Sequence, residues 1–153
     1  MGMFTGIDIS ASALVAERLR LETITNNVAN AESLSEDGAR LRPYRRRTPV
    51  FYTGDPAGTG SAQLGVRFAG VLQSEKFIPR DSPDPENDPN AVRAEDVQRN
   101  PALAPYIGKN LFPDINMATE MADMISASRA YEANVTAMQL SRTMIQSTLQ
   151  VMG

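Results

Sequence analysis

The sequence predicts an α+β chain in which two long terminal helices form an antiparallel coiled-coil-like pair, with a small β-rich domain inserted between them. Three observations carry this. The last third of the chain has no Pro and no Gly before its final residue and keeps a heptad spacing of apolar residues. A weaker heptad stripe runs near the N-terminus. All ten Pro residues lie between Pro43 and Pro113, and Pro breaks helix interiors, so the helices flank a non-helical middle. The expected divisions are an N-terminal helix in 1–32, a β- and Pro-rich domain in 33–115 and a long C-terminal helix in 116–153.

The C-terminal stripe is Met117, Met121, Met124, Ser128, Tyr131, Val135, Met138, Arg142, Ile145, Leu149 and Met152. Its spacing alternates between four and three residues, the mark of a coiled-coil seam rather than of a helix of period 3.6. A helix of this length runs to roughly 50 Å, and the chain has little else of that length to cover it. Either the N-terminal helix pairs with it or neighbouring molecules do. A long helix lying across its own bundle is the plainer alternative, and the scarcity of further helices weighs against it. Met is unbranched and pliable, which suits a seam that adapts to more than one partner. Ser128 and Arg142 interrupt the seam, as polar residues that set register and partner choice do.

The N-terminal stripe is Ile7, Leu14, Leu21 and Val28, flanked by Ala11, Leu19 and Ile24. A helix over 7–31 follows, with Ser10 or Ser12 as a cap for a later start. The run from Thr25 to Asn30 has poor helix propensity, because Asn and Thr offer the backbone competing hydrogen bonds. It predicts a helix end at about Ala31 that Asn side chains cap or cross-link.

The middle reads as short strands over 44–52 and 64–78, with Gly70 as a bulge or bend. A Pro-rich loop over 79–105 holds one helical turn around 94–98, and a short apolar return covers 104–113. Asn116 is placed to cap the long helix.

Composition narrows the chemistry. The net charge is -3, which argues against nucleic acid as a partner. The absence of Cys and His removes thiolate nucleophiles and the commonest general base and metal ligands. No apolar run is long enough to span a bilayer, so no direct membrane insertion is expected. The N-terminus lacks the basic leader of a secretory signal, and Gly6 stands where a myristoylation site needs Ser or Thr.

Two charged clusters remain. Arg42, Arg45, Arg46 and Arg47 beside Tyr44 suit either an anionic polymer or, the preferred reading, acids of a neighbouring protein. Asp81, Asp84, Glu86 and Asp88 alternate like the start of a calcium loop, but Pro89 stands where that loop needs Gly. No cofactor or metal is expected, and no constellation points to an enzyme.

Two blocks carry a resemblance. Thr25-Asn26-Asn27-Val28-Ala29-Asn30-Ala31 resembles the N-terminal signature of bacterial flagellar rod and hook proteins. Asn116-Met117-Ala118-Thr119-Glu120-Met121, followed by Met124-Ile125-Ser126-Ala127-Ser128-Arg129-Ala130-Tyr131-Glu132-Ala133-Asn134-Val135, resembles their C-terminal signature, most closely that of the proximal rod. Pro43-Tyr44-Arg45-Arg46-Arg47 is similar to the start of that branch's middle region, while residues 82–111 depart from the usual form by being longer and richer in Pro. The motif residues are Asn26, Asn27, Asn30, Ser126, Ser128, Arg129, Tyr131 and Asn134.

The resemblance implies a structural subunit of the flagellar basal-body rod, in the periplasm. It implies export in an unfolded state through the flagellar type III apparatus and terminal helices that order on assembly, polymerise and transmit motor torque. The implied partners are copies of itself, FlgB, FlgF, FlgG and FliE. Two rivals stand beside this reading. One is a soluble helical-hairpin binding module or adaptor with no polymer role. The other is an accessory acting on cell-wall glycan through the carboxylates of 81–88.

Overall fold

The computed structural model describes residues 2–34, 43–54 and 65–152. Two helices bound the described chain: α1 (Gly2–Ala29) and α3 (Met117–Met152). Between them lie β1 (Arg47–Thr53), β2 (Val66–Gln73), β3 (Phe77–Asp81), the short helix α2 (Ala94–Arg99), a 3-10 helix (Pro101–Tyr106) and β4 (Lys109–Pro113). This is the expected α+β order, with terminal helices flanking a β-rich part. Among the described residues, no helix is long and apolar enough to cross a membrane.

The chain divides into two compact units. The first gathers 1–25, 48–72 and 121–153. Its fully buried side chains are small or aliphatic: Ala16, Ile24 and Ala127. Arg20 of α1 lies 3.7 Å from Asp123 of α3. Phe51 and Phe68 meet edge-on, centroids 6.0 Å apart, across the β1–β2 ribbon. The ribbon is tied at one end by Gly54 N–H donating to Gly65 O, and at the other by Ser74 N–H donating to Arg46 O. The two strands therefore run antiparallel. Ser12 joins the ribbon to α1: its hydroxyl donates to Ile9 O at 2.7 Å and accepts from Val66 N–H at 3.0 Å. Ser12 is thus a mid-helix anchor and not the expected cap, since α1 already starts at Gly2.

The second unit gathers 26–47 and 73–120. β3 and β4 pair antiparallel from Phe77↔Pro113 to Asp81↔Lys109. Pro79 is tolerated there because a two-stranded sheet leaves each strand one unpaired side. The expected strand over 64–78 is in fact two, β2 and β3, which belong to different sheets. The Pro-rich stretch is more regular than a loop. Asn100 caps the 3-10 helix by accepting from Ala102 N–H at 3.2 Å, with Pro101 at its first position, where no amide donor is needed. Val92 N–H donates to Lys109 O and accepts, through its own carbonyl, from Gly108 N–H. Ala91, Val92 and Leu111 form the apolar core with the ring of Tyr44.

Candidate functional site

The Asn-rich end of α1 stays helical because its polar side chains bond back along the helix. Thr23 and Thr25 donate to the carbonyls of Leu19 and Leu21, and Asn30 Nδ2 donates to Asn26 O. Asn27 is the exception. Its side chain points inward and is 1 % exposed. Nδ2 donates to Arg47 O at 2.8 Å and to Glu120 Oε2 at 3.1 Å. Oδ1 accepts from Tyr44 Oη at 3.0 Å and from Arg47 N–H at 2.9 Å. Both donors and both acceptor positions of one amide are used.

Glu120 closes the network from the first turn of α3. Asn116 caps that helix as expected, its Oδ1 accepting from Ala118 and Thr119 N–H. Capping fixes the first turn and aims Glu120 inward, where it is 1 % exposed. Arg46 brings both Nε and Nη2 to Glu120 Oε1 at 2.7 Å. The Arg46 side chain keeps 33 % exposure against 2 % for the carboxylate, so the pair is half-desolvated. A carboxylate in this position is stable only with such charge-assisted partners. Three segments distant in sequence thus meet in one buried polar lock.

The remaining arginines are placed differently. Arg47 lies over the Tyr44 ring at 5.2 Å and Arg45 over Phe77 at 5.8 Å, while Arg42 falls outside the described residues. The acid partner of Arg46 belongs to its own chain. In the acidic stretch, Asp88 acts as a hub. It accepts from Ser82 Oγ, Asn110 Nδ2 and Asn90 N–H. The bonds from Asn110, then Asn90, then Ser82 hold its carboxyl below the usual range. Asp84 accepts from Asn87, Asp81 lies 3.7 Å from Lys109, and Glu86 is exposed.

The helical stripes occupy a graded position. Ile7, Leu14, Leu21 and Val28 are half-buried, as are Met124, Ser128, Val135, Met138 and Ile145. Met117, Met121, Tyr131, Arg142 and Leu149 are exposed, and the Met152 side chain lies outside the description. At three places a buried residue sits one position before the stripe, Asn27 before Val28, Glu120 before Met121 and Ala127 before Ser128, while Ala16 and Ile24 are buried elsewhere on α1. Of the motif residues, Asn27 alone is buried. Asn134 is half-buried and donates to Ala130 O, and Asn26, Ser126 and Arg129 are exposed. Glu120, Tyr44 and Ala127 were not singled out by periodicity. The signals for Glu120 were its place in the first turn of α3 and in the C-terminal signature block.

A polar lock that joins the ends of two long helices, both of which keep large apolar side chains in solvent, defines a protein built around its terminal helices. Comparison with known proteins agrees. Residues 7–32 match the family described as flagella basal body rod protein, and residues 112–151 match the flagellar basal body rod FlgEFG protein C-terminal family. The chain is 34 % identical to flagellar basal-body rod protein FlgC of Borreliella burgdorferi, over 99 % of each chain. It is 34 % identical to FlgC of Aquifex aeolicus, over 98 % of this chain and 97 % of that one. Against FlgC of Escherichia coli O6:H1 the identity is 33 %, over 97 % of each. The chain belongs to the FlgC family of flagellar basal-body rod proteins.

Proposed function

We propose that this structural subunit of the basal-body rod joins its neighbours through the outer face of α3 and the exposed Ile9 and Val15 of α1. One observation carries the reading. α3 is 36 residues long, yet among the described residues its buried side chains are only Glu120 and Ala127, while Met117, Met121, Ile125, Leu140, Met144, Leu149 and Val151 are exposed. Large apolar residues strung along one helix in solvent mark a contact surface. A helix of this length gains most of its stability from packing rather than propensity. Because such contacts are open-ended rather than closed, they build a polymer.

The partners are other subunits of the rod, including further copies of this chain. FlgB, FlgF, FlgG and FliE are the particular neighbours this reading names. Passage through the flagellar type III export apparatus in an unfolded state fits helices that acquire their full packing only beside a neighbour. The helices then carry torque along the rod. No catalytic role is part of the reading.

The test is a pair of charges on the outer face. Leu140→Asp with Met144→Asp is introduced into cells that lack their own FlgC. The expected result is a chain that is made and exported but absent from purified basal bodies, with swimming abolished. Normal rods built from the variant would overturn the reading.

A further inference from the structure

Both terminal helices carry stripes that repeat every seven residues. In α1 these are Ile7, Leu14, Leu21 and Val28; in α3 the inner line is Glu120, Ala127, Asn134 and Ser141. A heptad repeat alone does not choose among pairings that differ by seven residues, because each slid register brings side chains of similar spacing together. Ala127 and Ser141 are too small to discriminate. The polar lock does. Asn27 has every hydrogen-bonding position filled, two by Arg47, one by Tyr44 and one by Glu120. A slide of one heptad carries Glu120 about 10 Å along the helix axis, away from Asn27 and out of reach of Arg46. It leaves a carboxylate and an amide buried with unmet partners, which is strongly unfavourable. Arg20 of α1 also lies 3.7 Å from Asp123 of α3, a second polar contact between the two helices.

We propose that Asn27 and Glu120 are positioning residues that set the register of α1 against α3, and so fix how the outer apolar residues of the two helices are presented to a neighbouring subunit. The inference rests on the rod reading only in that last clause. The register itself is a property of one chain. Arg142 and Ser128, polar residues of the seam, do not hold this position: Arg142 is exposed and Ser128 only half-buried. A single buried polar contact fixing register is the best-attested role of such groups, and it does not depend on adding stability.

The chain has no Cys, so every thiol in the test is introduced. Arg20→Cys with Asp123→Cys reports the observed register, and Arg20→Cys with Ala130→Cys reports a slide of one heptad. Each pair is treated with a short bismaleimide in dilute full-length protein, and the monomer band is mapped by mass spectrometry. In the parent background the observed-register pair alone is expected to link efficiently. With Asn27→Leu and Glu120→Leu together, which remove the lock but keep apolar volume, the slid pair is expected to gain roughly tenfold relative to the other. Amide exchange in β3 and β4 checks that the second unit remains folded. Asn27→Asp, which keeps the shape but loses both donors and faces Glu120 with a like charge, gives the same answer if the double variant does not fold. If the observed-register pair alone links in both backgrounds, the lock does not set register. That result is read inside one chain, so it leaves the rod reading to its own test in cells.

Discussion

Glu120 ties Asn27 and Arg46 into one lock, and its truncation removes both bonds at once. Glu120→Ala leaves Asn27 Nδ2 short of an acceptor and Arg46 without its acid. It should cost about 2–4 kcal/mol of unfolding free energy, less than for a fully buried pair because Arg46 can turn to solvent. Urea titration followed by tyrosine fluorescence measures this. Asp88 is the second residue with a definite expectation. Its carboxyl sits below the ordinary value of 3.8 because Asn110, Asn90 and Ser82 bond its ionised form. The folded state therefore binds that proton less readily than the unfolded one. The stabilisation is complete above the ordinary value and is lost as pH falls through the depressed one. The urea midpoint of the parent should drop more steeply than that of Asp88→Asn between neutral pH and about pH 3. Parallel curves would show that Asp88 makes no such contribution. At this scale the sequence was half legible. Asn side chains at the end of α1 were expected to cap or cross-link, and Asn27 does so. Its partner could not be read, because Glu120 lies 93 residues away and periodicity has no means of pairing polar groups so far apart.

Among the elements, the helices were the most legible because their patterns are long. α3 begins one residue after its Asn116 cap, as its capping chemistry requires. The buried line within each helix was less so. The heptad count follows the large apolar residues, while in α3 the buried positions are their smaller or polar predecessors, Glu120 and Ala127, the latter at 0 % exposure. Small side chains suit the centre of a close contact and large ones its flanks, so a count of apolar residues alone lands one position away. The strands were harder still. β2 and β3 read as one run because only Ser74, Glu75 and Lys76 separate them, and nothing local says that their partners differ. The junction of α1 with the β1–β2 ribbon makes a sharp prediction. Gly65 has φ of +134°, and a Cβ there would stand 2.5 Å from Ser12 Oγ. Gly65→Ala should destabilise by about 1–3 kcal/mol through backbone strain and this clash. In a Ser12→Ala background the additional cost of Gly65→Ala should shrink, because the clashing oxygen is gone. Thermal unfolding of the four combinations measures the coupling, and strict additivity would show that the hydroxyl is not what Gly65 avoids.

For the whole molecule, the central claim is that the exposed apolar residues of α3 are covered in the rod by another subunit. The family was legible in the sequence because the signature segments lie in the two long helices, the stretches that match the family models. The β-rich middle was legible as a unit, but its strand bounds and pairings were not, since short strands and turns leave weaker patterns. The most direct test is a photo-cross-linking residue placed at Met144, in cells that build flagella on this chain alone. The account predicts covalent adducts between this chain and rod subunits, recovered from purified basal bodies and absent when the protein is irradiated as a dilute monomer. Adducts confined to the same chain, in basal bodies and monomer alike, would contradict it.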